Sequence, residues 1–169
     1  VTDSTGLGHT GTLTNGATYG AGQVNQALLL DGTNDYVAVA HAADLNLTGN
    51  MSVDFFANHA SVTDGRVVLS KDDPGGTNQA PFQLKITNPG TPRYQWYHNG
   101  GAGTFSSVFT FTGYAVPLNT WHHVAYTFSD ASDFQALYID GALVATGTVT
   151  KTIGYDSRPF MIGAQYDNN

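Results

Sequence analysis

The chain of 169 residues has no cysteine, no glutamate and only six lysines and arginines. Without cysteine, neither a disulfide framework nor a thiolate metal site can form, so a hydrophobic core must stabilise the fold. No apolar run approaches the roughly 20 residues that a membrane-spanning helix needs, and membrane insertion is not expected. Thirteen acidic residues bring the net charge to −7, and no basic cluster is available to neutralise phosphates. Nucleic acid is therefore not an expected partner.

The absence of glutamate also bears on catalysis. Glycoside hydrolases use two facing carboxylates, and here every acidic residue is an aspartate. Asp130 and Asp133 share one polar loop, where a solvated turn explains both of them. A Gly-x-Ser-x-Gly nucleophile elbow does not occur in the sequence. We therefore expect a protein that is not an enzyme.

What the chain does contain is a series of short runs in which apolar and polar residues alternate, separated by glycine, proline, asparagine and aspartate. No segment sustains the 3.6-residue period of an amphipathic helix. Eleven short runs separated by turns are typical of an all-β sandwich or barrel, and the length suits one domain. The runs predict strands at 27–30, 36–39, 51–57, 66–71, 82–87, 93–98, 104–112, 121–129, 134–139, 142–150 and 160–162.

Three segments together resemble a known family. Residues 25–37 contain a strand, an Asp-Gly turn and a second strand, and residues 160–163 read Phe-Met-Ile-Gly. Between them, a Trp-His-His-Val-Ala run within 119–128 leads to Tyr-Ile-Asp-Gly at 138–141. This order and spacing resemble the laminin-G-like domains of the concanavalin-A-like jelly-roll class. The resemblance implies an all-β, two-sheet antiparallel β-sandwich in which residues 1–169 form a single domain.

The two ends of the chain depart from that family. Asp3 and the following glycines, with residues 11–16, look like the family's opening loop and strand. A domain of this family normally has one more strand before that loop and a further strand at its end, and neither is present. The expectation is a piece of a longer polypeptide, or a module whose missing strands a neighbour supplies, because an incomplete sandwich leaves a sheet edge exposed.

Six histidines are present, and two of them are consecutive. On a strand, alternation sends His122 and His123 to opposite faces, so one of them is expected to be a hydrogen-bonded core residue beside Trp121. The remaining four lie in scattered positions without the spacing of metal ligands, namely His9, His41, His59 and His98.

Calcium is the cofactor for which the sequence offers candidate ligands. Hard cations take several oxygen ligands, and glycine-rich loops with aspartate supply them. Asp31 and Asp35 match the Asp-Gly-x-x-Asp turn in which the resembled family often binds calcium, and Asp3 lies in a second loop of this kind. The alternative is that Asp31 and Asp35 form hydrogen-bonded turns. The loop 71–76 is a further calcium candidate.

A stretch rich in aromatic residues, 94–99, is the best candidate for ligand binding. Alternation places Trp96 in the core and turns Tyr97 outward, beside Gln95, Gln83 and Lys85 of the same face. An exposed ring that stacks on a sugar, with amides that bond its hydroxyls, is typical of carbohydrate sites. The alternative is an ordinary solvated sheet face. Two loop tyrosines complete the candidate set, Tyr114 and Tyr166.

These observations leave two functions open. The first is a carbohydrate-recognition or adhesion module whose partner is a glycan. The second is a structural or assembly module, such as a virion decoration, fibre or surface-layer component, whose partner is another protein or subunit. Both imply an extracellular location, at a cell surface or on a virion surface. Fold alone does not decide between them, because sandwiches of this type support binding, catalysis and scaffolding alike.

Overall fold

The computed structural model describes residues 1–47, 49–63, 65–71, 82–88, 90–99, 105–110, 112–148 and 157–166. No helix in these ranges has the length and apolar character that a membrane crossing requires. The elements, in chain order, are β1 Gly11–Thr14, β2 Thr18–Ala21, β3 Gln26–Leu29, β4 Tyr36–Val39, a 3-10 helix Ala43–Leu45, β5 Met51–Ala57, β6 Arg66–Lys71, β7 Phe82–Thr87, β8 Arg93–Asn99, β9 Phe105–Thr110, β10 His122–Ser129, a 3-10 helix Asp130–Ser132, β11 Phe134–Ile139, β12 Ala142–Thr148 and β13 Phe160–Ile162.

The strands form two main sheets. The larger has seven strands in the order β1-β4-β13-β6-β7-β8-β9, and the smaller has four in the order β12-β11-β10-β5. Neighbouring strands are antiparallel throughout the part of the chain that the structure describes. The prediction of an all-β, two-sheet antiparallel sandwich is confirmed. A separate hairpin of β2 and β3 adds a small third sheet.

Alternation along the strands builds the core between the sheets. In β10, His122, Val124, Tyr126 and Phe128 are buried, while the residues between them are partly exposed. Trp96 of the larger sheet is fully buried and stacks on Tyr126 of the smaller one, with ring centroids 3.6 Å apart. A large side chain buried in this way stabilises the fold by about 2 to 3 kcal/mol. The prediction that Trp96 lies inside is confirmed.

The predicted strands recur with small changes at their ends. Six of the eleven have the predicted bounds, and the others differ at their ends because hydrogen bonding, not side-chain pattern, fixes where pairing stops. The runs 104–112 and 142–150 extend beyond the described residues. The opening strand expected within 11–16 is β1. β2 was not predicted, because its four residues include a glycine and show little apolar alternation.

A tight turn joins β11 and β12. Asp140 and Gly141 both have positive φ values, 51° and 79°, as a two-residue type I′ hairpin requires. Glycine takes this conformation without steric cost, and aspartate tolerates it. The turn therefore has a local cause in the sequence.

Candidate functional site

The candidate site lies on the outward side of the larger sheet, on β7 and β8. Phe82, Leu84 and Ile86 of β7 belong to the buried core, so the residues between them face away from it. On β8, Tyr94 and Trp96 take the core positions in the same way. Four residues therefore face away from the core, and we call them the polar face: Gln83, Lys85, Gln95 and Tyr97.

Strand register makes these four residues neighbours. Gln83 is paired with Tyr97, and Lys85 is paired with Gln95. Directly paired side chains on one face of a sheet lie about 5 Å apart at their β-carbons. The Lys85 ammonium lies 5.0 Å from the centre of the Tyr97 ring, and the Tyr97 hydroxyl donates a hydrogen bond to the Gln95 side-chain oxygen over 3.1 Å. The structure thus brings the four predicted residues together.

The segment after β13 folds back over one end of this face. Gly163 has a φ of 88°, and its amide donates to the Val68 carbonyl over 2.9 Å. A β-carbon at Gly163 would meet Leu30 and the Asp35 backbone, so a glycine is needed at this bend. Ser70 then donates to the Ala164 carbonyl over 2.9 Å. The return of the chain therefore depends on a glycine and a hydrogen bond to β6.

Gln83 departs from the expectation of an open outward residue. Its side chain is fully buried, and its amide nitrogen donates to the Gln165 side-chain oxygen over 3.0 Å. The returning segment covers it, which the alternation of β7 alone does not reveal. Gln83 therefore anchors Gln165 to the sheet, while Lys85, Gln95 and Tyr97 remain partly exposed.

Tyr166 ends the returning segment. Its side chain is 41% exposed, and the Arg158 guanidinium carbon lies 4.7 Å from the centre of its ring. Because Tyr166 follows Gln165, it lies beside the covered end of the polar face. Sequence reasoning identified Tyr166 but missed Arg158 and Gln165, since only the tertiary structure brings Gln165 to Gln83 of β7 and Arg158 to the Tyr166 ring.

Tyr114 does not join the polar face. It packs against the core, and its buried hydroxyl has no hydrogen-bond partner in the described part of the structure. Burial, with the nearby negative charge of Asp140, raises the pKa of Tyr114 to about 12. Ligand binding by Tyr114 stays a prediction, and its ring, partly buried against the core, is less open than a loop position suggests.

The paired histidines behave as alternation predicts. His122 is 9% exposed and faces the core, whereas His123 lies on the opposite face. The Nδ1 atom of His122 lies 2.7 Å from an Asp140 carboxylate oxygen, and the other oxygen accepts the His123 amide over 2.9 Å. The hydrogen bond from His122 lowers the pKa of Asp140. These contacts confirm a hydrogen-bonded core histidine.

The three predicted calcium ligands do not form one site. Both oxygens of Asp35 accept backbone amides, from Gly16 over 2.7 Å and from Asp31 over 3.1 Å. Asp31 accepts the Thr33 amide over 2.7 Å, and this bond lowers the pKa of Asp31. These are the contacts of hydrogen-bonded turns.

The carboxylate of Asp3 makes its own hydrogen bonds, separate from those of Asp31 and Asp35. Its carboxylate accepts the amides of Thr5 and His9 over 2.8 and 3.0 Å, and the hydroxyl of Thr5 over 2.7 Å. The Thr5 hydroxyl and these amides hold its pKa well below the usual range of an aspartate. Within the described ranges, no three histidine or aspartate side chains are placed to hold a metal ion together. Of the loop 71–76, only Lys71 belongs to the described residues.

Two antiparallel sheets packed face to face, with the polar face on one of them, define a jelly-roll sandwich of the lectin type. Residues 31–169 match the family described as the concanavalin A-like lectin/glucanases superfamily. The chain therefore belongs to that superfamily. No protein with a curated function matches the sequence.

Solved structures share the fold at low sequence identity. Domain 4 of an extracellular arabinanase from Geobacillus stearothermophilus, solved in complex with arabinotriose, is 19% identical, with a TM-score of 0.72 over 98% of this chain and 79% of that one. A sialidase CBM40 from Ruminococcus gnavus, bound to α2,3-sialyllactose, is 20% identical, with a TM-score of 0.58 over 73% and 68% of the two chains. A botulinum neurotoxin type C structure, in which cell entry depends on two ganglioside molecules, is 11% identical, with a TM-score of 0.65 over 99% and 41%.

Proposed function

We propose that this protein is a non-catalytic carbohydrate-recognition module, located outside the cell, which binds a glycan on the polar face. The observation that carries the proposal is the arrangement of Tyr97 beside Gln95 and Lys85, with Gln165 hydrogen-bonded to Gln83 of the same face and Tyr166 next to it in the chain. The arabinotriose, sialyllactose and ganglioside partners of the similar structures support the same class of ligand.

The chemistry of the face suits a sugar. One side of a pyranose ring is apolar and stacks on an aromatic ring, while the hydroxyls at its edge exchange hydrogen bonds with amides and cations. Tyr97 supplies the ring, and its bond to Gln95 fixes the orientation of the hydroxyl. Because Lys85 is held over the same ring, a charged donor lies ready beside the stacking surface.

A glycan panel followed by calorimetric titration tests this proposal. Tyr97→Ala is expected to weaken binding of the best saccharide at least tenfold, roughly the loss that removal of a central aromatic contact causes. Tyr19→Ala is the control, because Tyr19 is an exposed tyrosine on the separate β2–β3 hairpin. Circular dichroism confirms that both variants are folded. No binding by the folded protein across neutral and acidic glycans, or equal binding by Tyr97→Ala, would overturn the proposal.

An assembly module is the second candidate, and a different surface supports it. Tyr19, Val24 and Leu29 of the β2–β3 hairpin are exposed. Exposed apolar residues that lie close together mark contact surfaces, whereas scattered ones are ordinary on a monomer. The exposed apolar residues of the hairpin are therefore weaker support for an assembly function than the polar face is for sugar binding.

A further inference from the structure

The few basic residues of this acidic chain are concentrated around the polar face. Six lysines and arginines occur in the whole sequence, and three of them, Lys85, Arg93 and Arg158, lie on β7, on β8 or in segment 157–166. β7 and β8 contain no acidic residue, although the chain carries a net charge of −7. The two strands that carry the polar face are therefore positive, in contrast to the chain as a whole.

Two of these cations are held beside aromatic rings. The Lys85 ammonium is 5.0 Å from the Tyr97 ring centre, and the Arg158 guanidinium carbon is 4.7 Å from the Tyr166 ring centre. A cation over an aromatic face is attracted by the ring electrons, which restricts the long side chain. Tyr97 and Tyr166 thus each have a positive charge next to the ring.

Arg93 adds a donor that lacks an acceptor. It shares the outward side of β8 with Gln95 and Tyr97, and it pairs with Thr87 of β7. Its buried Nε atom has no hydrogen-bond partner in the described ranges. A buried donor without a partner costs free energy, so no contact within the described ranges accounts for the position of this Nε atom.

We infer that the ligand of the polar face is an acidic saccharide, one whose sugar units carry a carboxylate. This inference rests on the proposed glycan binding and specifies its ligand. A carboxylate accepts the paired donors of a guanidinium or the single charge of an ammonium, while the sugar ring stacks on tyrosine and its hydroxyls reach the glutamines. The positive charges of Lys85 and Arg93 attract such a ligand, which the net negative charge of the protein would otherwise repel.

Matched pairs of saccharides test the inference. The pairs are α2,3-sialyllactose with lactose, and tri-galacturonate with its methyl ester, each titrated calorimetrically into the whole chain. The acidic member of at least one pair is expected to bind at least tenfold more tightly than its neutral partner. Raising NaCl from about 50 to about 500 mM should reduce this difference, because salt screens the attraction of partly exposed charges.

Charge-removing variants locate the effect. Lys85→Gln and Arg158→Gln are expected to weaken acidic binding about threefold or more and to weaken neutral binding by a smaller factor. Arg66→Gln is the control, since Arg66 is an exposed arginine at the start of β6, outside these segments. Equal affinity for acidic and neutral members overturns this inference and leaves the proposed glycan binding intact. Absence of binding to every saccharide overturns both.

Discussion

His59 shows how a single side chain acquires unusual properties from its surroundings. Its Nε2 atom lies 2.9 Å from the Tyr94 hydroxyl, and the two rings meet edge to face. Burial disfavours the charged imidazole, and a charge on His122 disfavours it further, so the pKa of His59 falls to about 4. Burial also raises the pKa of Tyr94 well above its usual range. Both groups are therefore neutral in the folded protein at neutral pH.

This environment predicts a loss of stability in mild acid. In the unfolded chain His59 has a pKa near 6.5, so between about pH 6.5 and pH 4 the unfolded state binds more protons than the folded state. The free energy of unfolding is therefore expected to fall as the pH falls through this window, by about 2 kcal/mol between pH 7 and pH 4.5. Urea denaturation at the two pH values measures this change.

His59→Gln is the matched variant, because glutamine keeps a hydrogen-bonding group for Tyr94 and does not titrate. In His59→Gln, the difference in unfolding free energy between pH 7 and pH 4.5 should be smaller than in the wild-type protein by most of the expected change of about 2 kcal/mol. The aspartates with lowered pKa values, such as Asp140, lose their contribution only near and below their unfolded pKa of about 4. An unchanged pH dependence in His59→Gln would show that His59 is not the group responsible.

At the scale of the element, the β11–β12 turn connects more than its own two strands. Asp140 contacts the side chain of His122 and the amide of His123, and its own amide donates to the His123 carbonyl over 2.8 Å. The hydrogen bonds of Asp140 therefore connect the β11–β12 turn to the start of β10. Its geometry depends on the positive φ of Gly141, which other residues adopt only with strain.

Replacement of Gly141 tests how much the β11–β12 turn contributes to stability. Gly141→Ala is expected to destabilise the protein by about 1 to 2 kcal/mol through backbone strain, since no atom lies within 4 Å of the added β-carbon. Gly90→Ala is the control: its added β-carbon also has open space, but its φ is not positive. Chemical denaturation of both variants should show a loss only for Gly141→Ala. Equal effects would point to loss of chain flexibility and not to the turn.

At the scale of the whole molecule, the loop 31–35 joins the opening of the chain to the larger sheet. Asp35 is buried and accepts the Gly16 amide, which links the turn after β1 to the start of β4. Its second oxygen accepts the Asp31 amide, and Asp31 in turn accepts that of Thr33. The carboxylates of Asp31 and Asp35 therefore stabilise the fold by accepting hydrogen bonds from backbone amides. Coordination of a cation would be a different role for the same oxygens.

A thermal melt decides between the two alternatives for Asp31 and Asp35, a calcium site and hydrogen-bonded turns. A ligand that binds only the folded state raises the melting temperature by mass action. Because both oxygens of Asp35 are engaged by amides, we expect millimolar calcium, followed by chelator, to shift the melting temperature by less than roughly 2 °C. A shift of several degrees that disappears in Asp31→Asn would contradict this expectation and establish a calcium site.

Local patterns were enough to predict much of the sandwich and part of the site. Alternation in β7 and β8 identified Trp96 as a core residue and Tyr97, Gln95 and Lys85 as outward residues, because the pleat of a strand fixes which face a side chain takes. The turn at Asp140 and Gly141 followed from residue type alone. The burial of Gln83 and Tyr114 did not follow, because segments distant in the sequence, or the packing of a loop, cover them.

The sequence by itself determined the strands, the faces of those strands and the lack of a glutamate pair for glycoside hydrolysis. Those properties depend on residue type and on spacing over a few positions. Only the tertiary structure decided that the chain returns after Gly163 to bring Gln165 to Gln83 of the polar face and Tyr166 to the guanidinium of Arg158. That arrangement depends on hydrogen bonds between residues more than 80 positions apart, such as that between Gln83 and Gln165, which no short-range pattern contains.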